Sequence, residues 1–306
     1  MKLGVLGLGE HVKRSHLPFL PRPVAYYDPS TGQAQHDFPR EASEDALLAR
    51  EDIDTILIGS PDRFHAAQLL KAVKAGKHVF VEKPLAVDEV GMEQVRLALS
   101  LAEEKKLLVS SCHTRRYDPP VAWLKEHIEM SHVTKFVFRF CYHRVTDPWK
   151  KNRSLMLDHL GHELDLVCFL FGVDTIEALE ALEDSHACYR VRGKVGHTEI
   201  LFEGTRMLEE SLYLEFMELW VDDKCTRLNL NNGLMLDFDG MEHAIPCKNY
   251  DTMFECVNHN FLEGYCGAEP LYLTHQELLR NNGVPVKLWS VFEGNGTQGP
   301  SGSVSP

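Results

Sequence analysis

Three features are missing from this chain of 306 residues, and each absence removes a class of function. No run of five or six lysines or arginines occurs, and acidic residues outnumber basic ones 45 to 32, for a formal net charge of −13. A chain of that sign repels a phosphate backbone, so no nucleic-acid partner is expected. No apolar run reaches the roughly 18 residues that a membrane-spanning helix needs, so no membrane role is expected either. The eight cysteines (112, 141, 168, 188, 225, 247, 256 and 266) stand singly with no C-x-x-C pair. Together with an N-terminus that opens directly on a strand pattern, this points to reduced thiols and a cytoplasmic protein.

What is present is a large apolar fraction, 44%, in a chain long enough for two domains. The opening stretch KLGVLGLGEHVKRSHLPFL reads as a short strand (Leu3 to Leu6), a glycine turn at Gly7 and Gly9, and a helix. A second strand, VAYYD, ends on Asp28, and a third, DIDTILIGSP, closes on Ser60-Pro61. FHAAQLLKAVKAG has helical spacing and stops at Gly76, as a C-cap does. The strand HVFVEKP, a helix from Val87 to Lys105 and the strand LLVSSC follow. Apolar strands alternating with helices predict a doubly wound parallel sheet, of the Rossmann type, as a first domain reaching residue 119.

Past Pro119-Pro120 the pattern changes. A helix from Val121 to Glu129 precedes the alternating strand KFVFRFCYHRV, and LMLDHLGHELDLVCFLFG is a helical run ended by Gly172. Between Cys188 and Ala244 several segments alternate with period two, among them LYLEFMEL, TRLNL and LMLDF, the last two joined by the hairpin signal Asn231-Asn232-Gly233. Residues 120–306 therefore read as an α+β domain with a large, mostly antiparallel open sheet. It ends in a helix from Thr274 to Asn281, the segment VPVKLWSVF and a disordered tail over 293–306, rich in glycine and serine.

Several residues carry chemistry. Gly7-x-Gly9 between a strand and a helix is a dinucleotide turn, in which backbone amides meet a pyrophosphate, although Val12 stands where a third small residue is usual. Asp28 can accept the adenosine ribose hydroxyls and repel a 2′-phosphate, which selects NAD over NADP; the plainer alternative is a turn-forming Asp-Pro. Glu82 and Lys83 end a core strand beside Pro84, and in a doubly wound sheet the ligand lies beyond the carboxyl ends of the strands, so Lys83 is delivered to the cleft. Asp158 and His162, four apart, share a helix face with Asp165. A histidine that titrates near neutrality suits a general base. His159 and Glu163 raise a metal alternative, but nothing matches H-E-x-x-H spacing and no metal is expected.

Ser60, Pro61 and His65 (P-x-x-x-H), Glu82-Lys83-Pro84 (E-K-P), TRRYDP (Thr114 to Pro119) and DHLGHELD (Asp158 to Asp165, D-x-x-x-H-x-x-D) occur in one order. In this the sequence resembles the Gfo/Idh/MocA oxidoreductases, with wording closest to inositol dehydrogenases. The resemblance implies an NAD(P)-dependent enzyme acting on a secondary hydroxyl of a cyclic polyol or sugar, with NAD or NADP as cofactor. Lys83, His162 and Asp158 would be catalytic. Gly7, Gly9, Asp28, Ser60, Pro61, His65, Glu82 and Pro84 would hold the cofactor, and Arg116 and Asp165 the substrate. It also implies a homodimer or homotetramer formed through the second sheet. The alternatives are a catalytically silent dinucleotide-binding sensor or scaffold, and a reductase of a nucleotide-linked sugar. The chain departs from the family in its short length, its compressed segment up to Glu41 and Leu160 at a position where glycine is usual.

Overall fold

The computed structural model describes residues 1–30, 37–142, 154–185, 187–206, 213–267 and 273–296. Its first half alternates strand and helix: β1 (Leu3–Leu6), α1 (Glu10–Ser15), β2 (Ala25–Tyr27), α2 (Glu44–Leu48), β3 (Thr55–Ile58), α3 (His65–Lys74), β4 (His78–Val81), α4 (Glu89–Lys105) and β5 (Val109–Ser111). The five strands pair in parallel in the order β2-β1-β3-β4-β5. Helix ends follow local chemistry. The Asp88 side chain caps α4 by accepting from Gly91 N at 2.7 Å, and Gly76, at φ +75°, turns the chain after α3.

The second half runs α5 (Pro119–His127), β6 (Lys135–Tyr142), α6 (Leu155–Phe171), β7 (Glu177–Asp184), β8 (Cys188–Val195), β9 (Thr198–Arg206), β10 (Tyr213–Val221), β11 (Lys224–Asn229), β12 (Leu234–Leu236), β13 (Glu242–Ala244), α7 (Tyr250–Tyr265) and α8 (His275–Gly296). Its sheet has the order β13-β12-β11-β10-β6-β9-β8-β7, antiparallel except for the β6–β9 pair. Phe136, Phe138 and Phe140 alternate along β6 into one core with Leu160, Leu164 and Val167 of α6. The other face carries Arg139 between Glu203 and Glu218. The hairpin at Asn231-Asn232-Gly233 forms, with Gly233 at φ +68° joining β11 to β12.

Two helices differ from the sequence reading. The sequence reading passes over α7, whose buried Met253, Val257 and Phe261 recur at every fourth position. It packs Val257 and Phe261 against Leu3, Val5 and Phe80 of the first sheet. Fully burying Phe261 contributes about 1.5–3 kcal/mol. The helix expected to end at Asn281 continues through Pro285 to Gly296 as α8. Weak helix formers persist there because tertiary bonds engage them. Asn281 Nδ2 donates to Asp165 Oδ1 at 3.0 Å, and Asn282 Oδ1 accepts from Leu85 N at 2.8 Å. Residues 293–296 of the tail expected to be disordered thus belong to this helix, and 297–306 lie outside the described residues. Both helices carry the end of the chain back onto the first sheet.

Candidate active site

The strand order reverses between β1 and β3, which opens a crevice at their carboxyl ends. Gly7 leaves β1 at φ +84°, and a Cβ there would lie 2.4 Å from Ser60 N, so only glycine fits. A Cβ on Gly9 would meet nothing within 4 Å, so the turn faces open space. Val12 is accommodated by Gly59, whose own Cβ would strike Val12 Cγ2 at 2.1 Å. The small residue missing from the helix has moved to the strand it packs against.

Asp28 directly follows β2 beside this turn. Its Oδ2 accepts from Leu8 N at 2.8 Å, and its Oδ1 accepts from Ser30 N and Oγ at 2.8 and 2.6 Å. Burial alone would raise the Asp28 carboxyl, but the bonds from Ser30 and Leu8 outweigh it and lower it. The ionised group retains acceptor capacity beside the glycine turn.

The loop after β4 is fixed from two sides. Glu82 Oε1 meets His11 Nε2 at 2.8 Å and His16 Nε2 at 2.7 Å, while Oε2 accepts from Lys83 N at 3.1 Å. Burial would raise the Glu82 carboxyl, yet the two histidines hold it well below the usual carboxylate range. Asn258 donates through Nδ2 to Ser15 O and Phe254 O, so its Oδ1 accepts from His16 Nδ1 at 2.9 Å. His16 thus bridges Asn258 and Glu82 through its two ring nitrogens. On the other side His65 spans two carbonyls, Pro84 O at 2.8 Å from Nδ1 and Ser60 O at 2.7 Å from Nε2. Burial pushes that ring toward its neutral form, which donates to one of them at a time. The Lys83–Pro84 bond between these supports is cis.

Lys83 reaches α6. Its Nζ donates to Asp158 O at 2.8 Å and lies 3.4 Å from Asp158 Oδ1, while Arg206 Nη2 stands 4.0 Å from Oδ2. Ser154 Oγ accepts from Leu157 N and starts the helix that carries Asp158 and His162. Lys83, Asp158 and His162 line one cavity with Pro84, His113, Gly161 and Asn281. Asp158 thus faces the lysine and does not hold His162, whose Nδ1 is buried with no hydrogen-bond partner among the described residues. The expectation that His162 titrates near neutrality gives way. Burial first, then Lys83 and His113, push it well below the usual histidine value, leaving a neutral ring with a lone pair.

Comparison with known proteins places the chain. Residues 1–113 match the sequence profile described as "Oxidoreductase family, NAD-binding Rossmann fold". Residues 1–113 are a Gfo/Idh/MocA oxidoreductase domain. The 2,7-anhydro-N-acetylneuraminate hydratase of Mediterraneibacter gnavus is 28% identical over 49% of this chain and 43% of its own length. The inositol 2-dehydrogenase of Pseudomonas savastanoi pv. phaseolicola is 30% identical over 58% of this chain and 56% of its own. The chain thus spans about half the length of these curated relatives. The scyllo-inositol dehydrogenase of Lactobacillus casei, solved with NAD(H) and scyllo-inositol, shares the fold at TM-score 0.74 and 18% identity, over 96% of this chain and 97% of that one.

The Gfo/Idh/MocA cradle fits a dinucleotide: the open space above Gly9 and the carboxylate of Asp28 flank it. Other residues expected at the ligand are engaged elsewhere. The side chains of Glu82 and His65 brace the loop around Lys83, and Ser60 Oγ donates to Gln68 Oε1 at 2.5 Å. Arg116 and Asp165, expected at the substrate, bond to each other. Arg116 Nε donates to Asp165 Oδ2 at 2.8 Å and Nη2 to Glu277 Oε1 at 2.6 Å, and Asp165 is fully buried. They join α6, α8 and the TRRYDP turn, which is a junction role. Arg115 is likewise turned inward, with Nη1 2.7 Å from Glu215 Oε2 on β10.

The pair weighed for a metal, His159 and Glu163, is 3.8 Å apart and belongs to no group of three metal-ligating side chains among the described residues. Among the described residues the three metal-ligating side chains that converge are His11, His16 and Glu82. The sequence reading missed His113, His16 and Asn258. A histidine directly after the fifth parallel strand was a readable sign for His113; for Asn258, 242 residues from His16, there was none.

Proposed function

We propose that the protein is an NAD(P)-dependent oxidoreductase that moves a hydride between nicotinamide and a secondary alcohol of a cyclic polyol or sugar. The observation that carries this reading is the convergence of Lys83, Asp158 and His162 on one cavity beyond the carboxyl end of β4. A bound nicotinamide supplies the hydride acceptor in oxidation and the donor in reduction. In oxidation the C–H electron pair leaves the carbon as hydride while its hydroxyl loses a proton. The ammonium of Lys83, held by Asp158, stabilises the oxygen as negative charge develops on it. His162, neutral and with an available lone pair, accepts the proton.

Asp28 favours NAD, because a 2′-phosphate would meet its ionised carboxylate. Arg40, whose Nε donates to Asp28 O at 3.1 Å, is the nearby group that a 2′-phosphate could engage. Oligomerisation through the open face of the second sheet, laced with Arg139, Glu203, Glu218 and Arg227, accompanies this reading. The test is NADH and NADPH fluorescence titration, then a polyol and sugar panel with the preferred cofactor. Binding with turnover supports the proposal. Binding with no turnover over the whole panel favours a silent dinucleotide-binding protein, and binding of neither removes the cofactor.

A further inference from the structure

The cavity contains a second imidazole that the proposed hydride transfer does not use. His113 follows β5, is 2% exposed and anchors its backbone N on Ser111 O at 2.9 Å. Its ring meets that of His162 edge to face, with centroids 5.5 Å apart. Nδ1 of each ring is buried with no hydrogen-bond partner among the described residues. Burial pushes His113 down to about 4, so at neutral pH its ring offers one N–H donor and one lone pair. A buried polar group left without a partner is destabilising, and a ligand that supplies the partner relieves it.

Gly161 brings the rings together. A Cβ at that position would lie 2.6 Å from Asn281 O and 3.8 Å from His113 Nε2, so glycine lets α8 and the loop after β5 close on α6 beside His162. Lys83 and Asp158 line the same cavity.

We propose that His113 forms a subsite for a second hydroxyl, on the carbon next to the reacting one, so that the cavity selects vicinal diols over lone secondary alcohols. This rests on the hydride-transfer reading above. Hydroxyls on neighbouring carbons lie closer together than the two ring centroids, so with hydrogen bonds of about 2.8 Å each ring reaches one oxygen. His162 takes the reacting hydroxyl and His113 its neighbour. A hydroxyl both donates and accepts, which matches a neutral imidazole in either tautomer.

The test compares trans-1,2-cyclohexanediol with cyclohexanol as substrates of the full chain with its preferred cofactor, in wild type, His113→Phe and His113→Gln. The expected result is a KM for the diol at least tenfold higher in His113→Phe, partly restored in His113→Gln, with a clearly smaller change in kcat/KM for cyclohexanol than for the diol in both. Side-chain 15N NMR adds a readout free of turnover: the His113 resonance, assigned by its loss in His113→Phe, shifts with diol and not with cyclohexanol. Equal effects on both alcohols, or on neither, would overturn the subsite and leave hydride transfer standing. If wild type turns over neither alcohol nor any member of the polyol panel, and the diol moves no His113 resonance, both readings fail.

Discussion

The histidines that brace the loop after β4 and those in the cavity live under opposite rules. Around the loop, His16 uses both ring nitrogens, on Asn258 and Glu82, and His65 spans Ser60 O and Pro84 O. In the cavity, His113 and His162 each keep an Nδ1 with no partner among the described residues. Satisfied polar groups hold a loop in one geometry, whereas unsatisfied ones are available to a ligand. The E-K-P loop is therefore two devices in adjacent residues, with Glu82 tied into the fold and Lys83 presented to the cavity.

The comparison can be broken first on its engaged side. Arg116→Ala leaves the fully buried Asp165 without its main cation and should cost about 3–5 kcal/mol of stability. An unfolding free energy from denaturant melts that falls by less than about 1 kcal/mol would show that Arg280, 3.5 Å away, suffices alone.

Acid should act on the cavity side. Burial lowers His113, His159 and His162, so below pH 6.5 the unfolded chain takes protons before the folded one does. Their contribution to stability is complete above pH 6.5 and is lost as the pH falls toward 4. For His113 alone the depression to about 4 is worth about 3 kcal/mol. Urea melts at pH 7.5, 5.5 and 4.5 measure this, and His113→Phe should flatten the slope.

Lys83→Ala should reduce turnover about a hundredfold, equivalent to about 2.7 kcal/mol in the barrier, while the melting temperature moves little. A large fall in melting temperature with preserved turnover would place Lys83 among the structural groups instead.

The smallest effect concerns the displaced small residue. Gly59→Ala should cost about 1–3 kcal/mol through its clash with Val12, and Val12→Ala in the same chain should restore most of it. Additive losses in the double variant would mean that the two positions do not share one space.

The legible parts of the sequence were those whose cause is local. The glycine turn, the alternation of β6, the stop at Gly172 and the shared face of Asp158 and His162 all follow from backbone freedom or side-chain period over a few residues. The family motifs in order added the fold class and the Lys83 loop. Engagement was not legible. Arg116 and Asp165 read as substrate groups and form a buried pair, and the Asn281-Asn282-Gly283 run reads as a helix end yet lies inside α8 because Asp165 and Leu85 bond its side chains. Whether a polar side chain is held by the fold or presented to a ligand depends on partners tens to hundreds of residues away. The sequence by itself determined which chemical groups this protein owns and which strand ends carry them; the tertiary structure alone decided which of those groups the fold consumes, because hydrogen bonds form between neighbours in space.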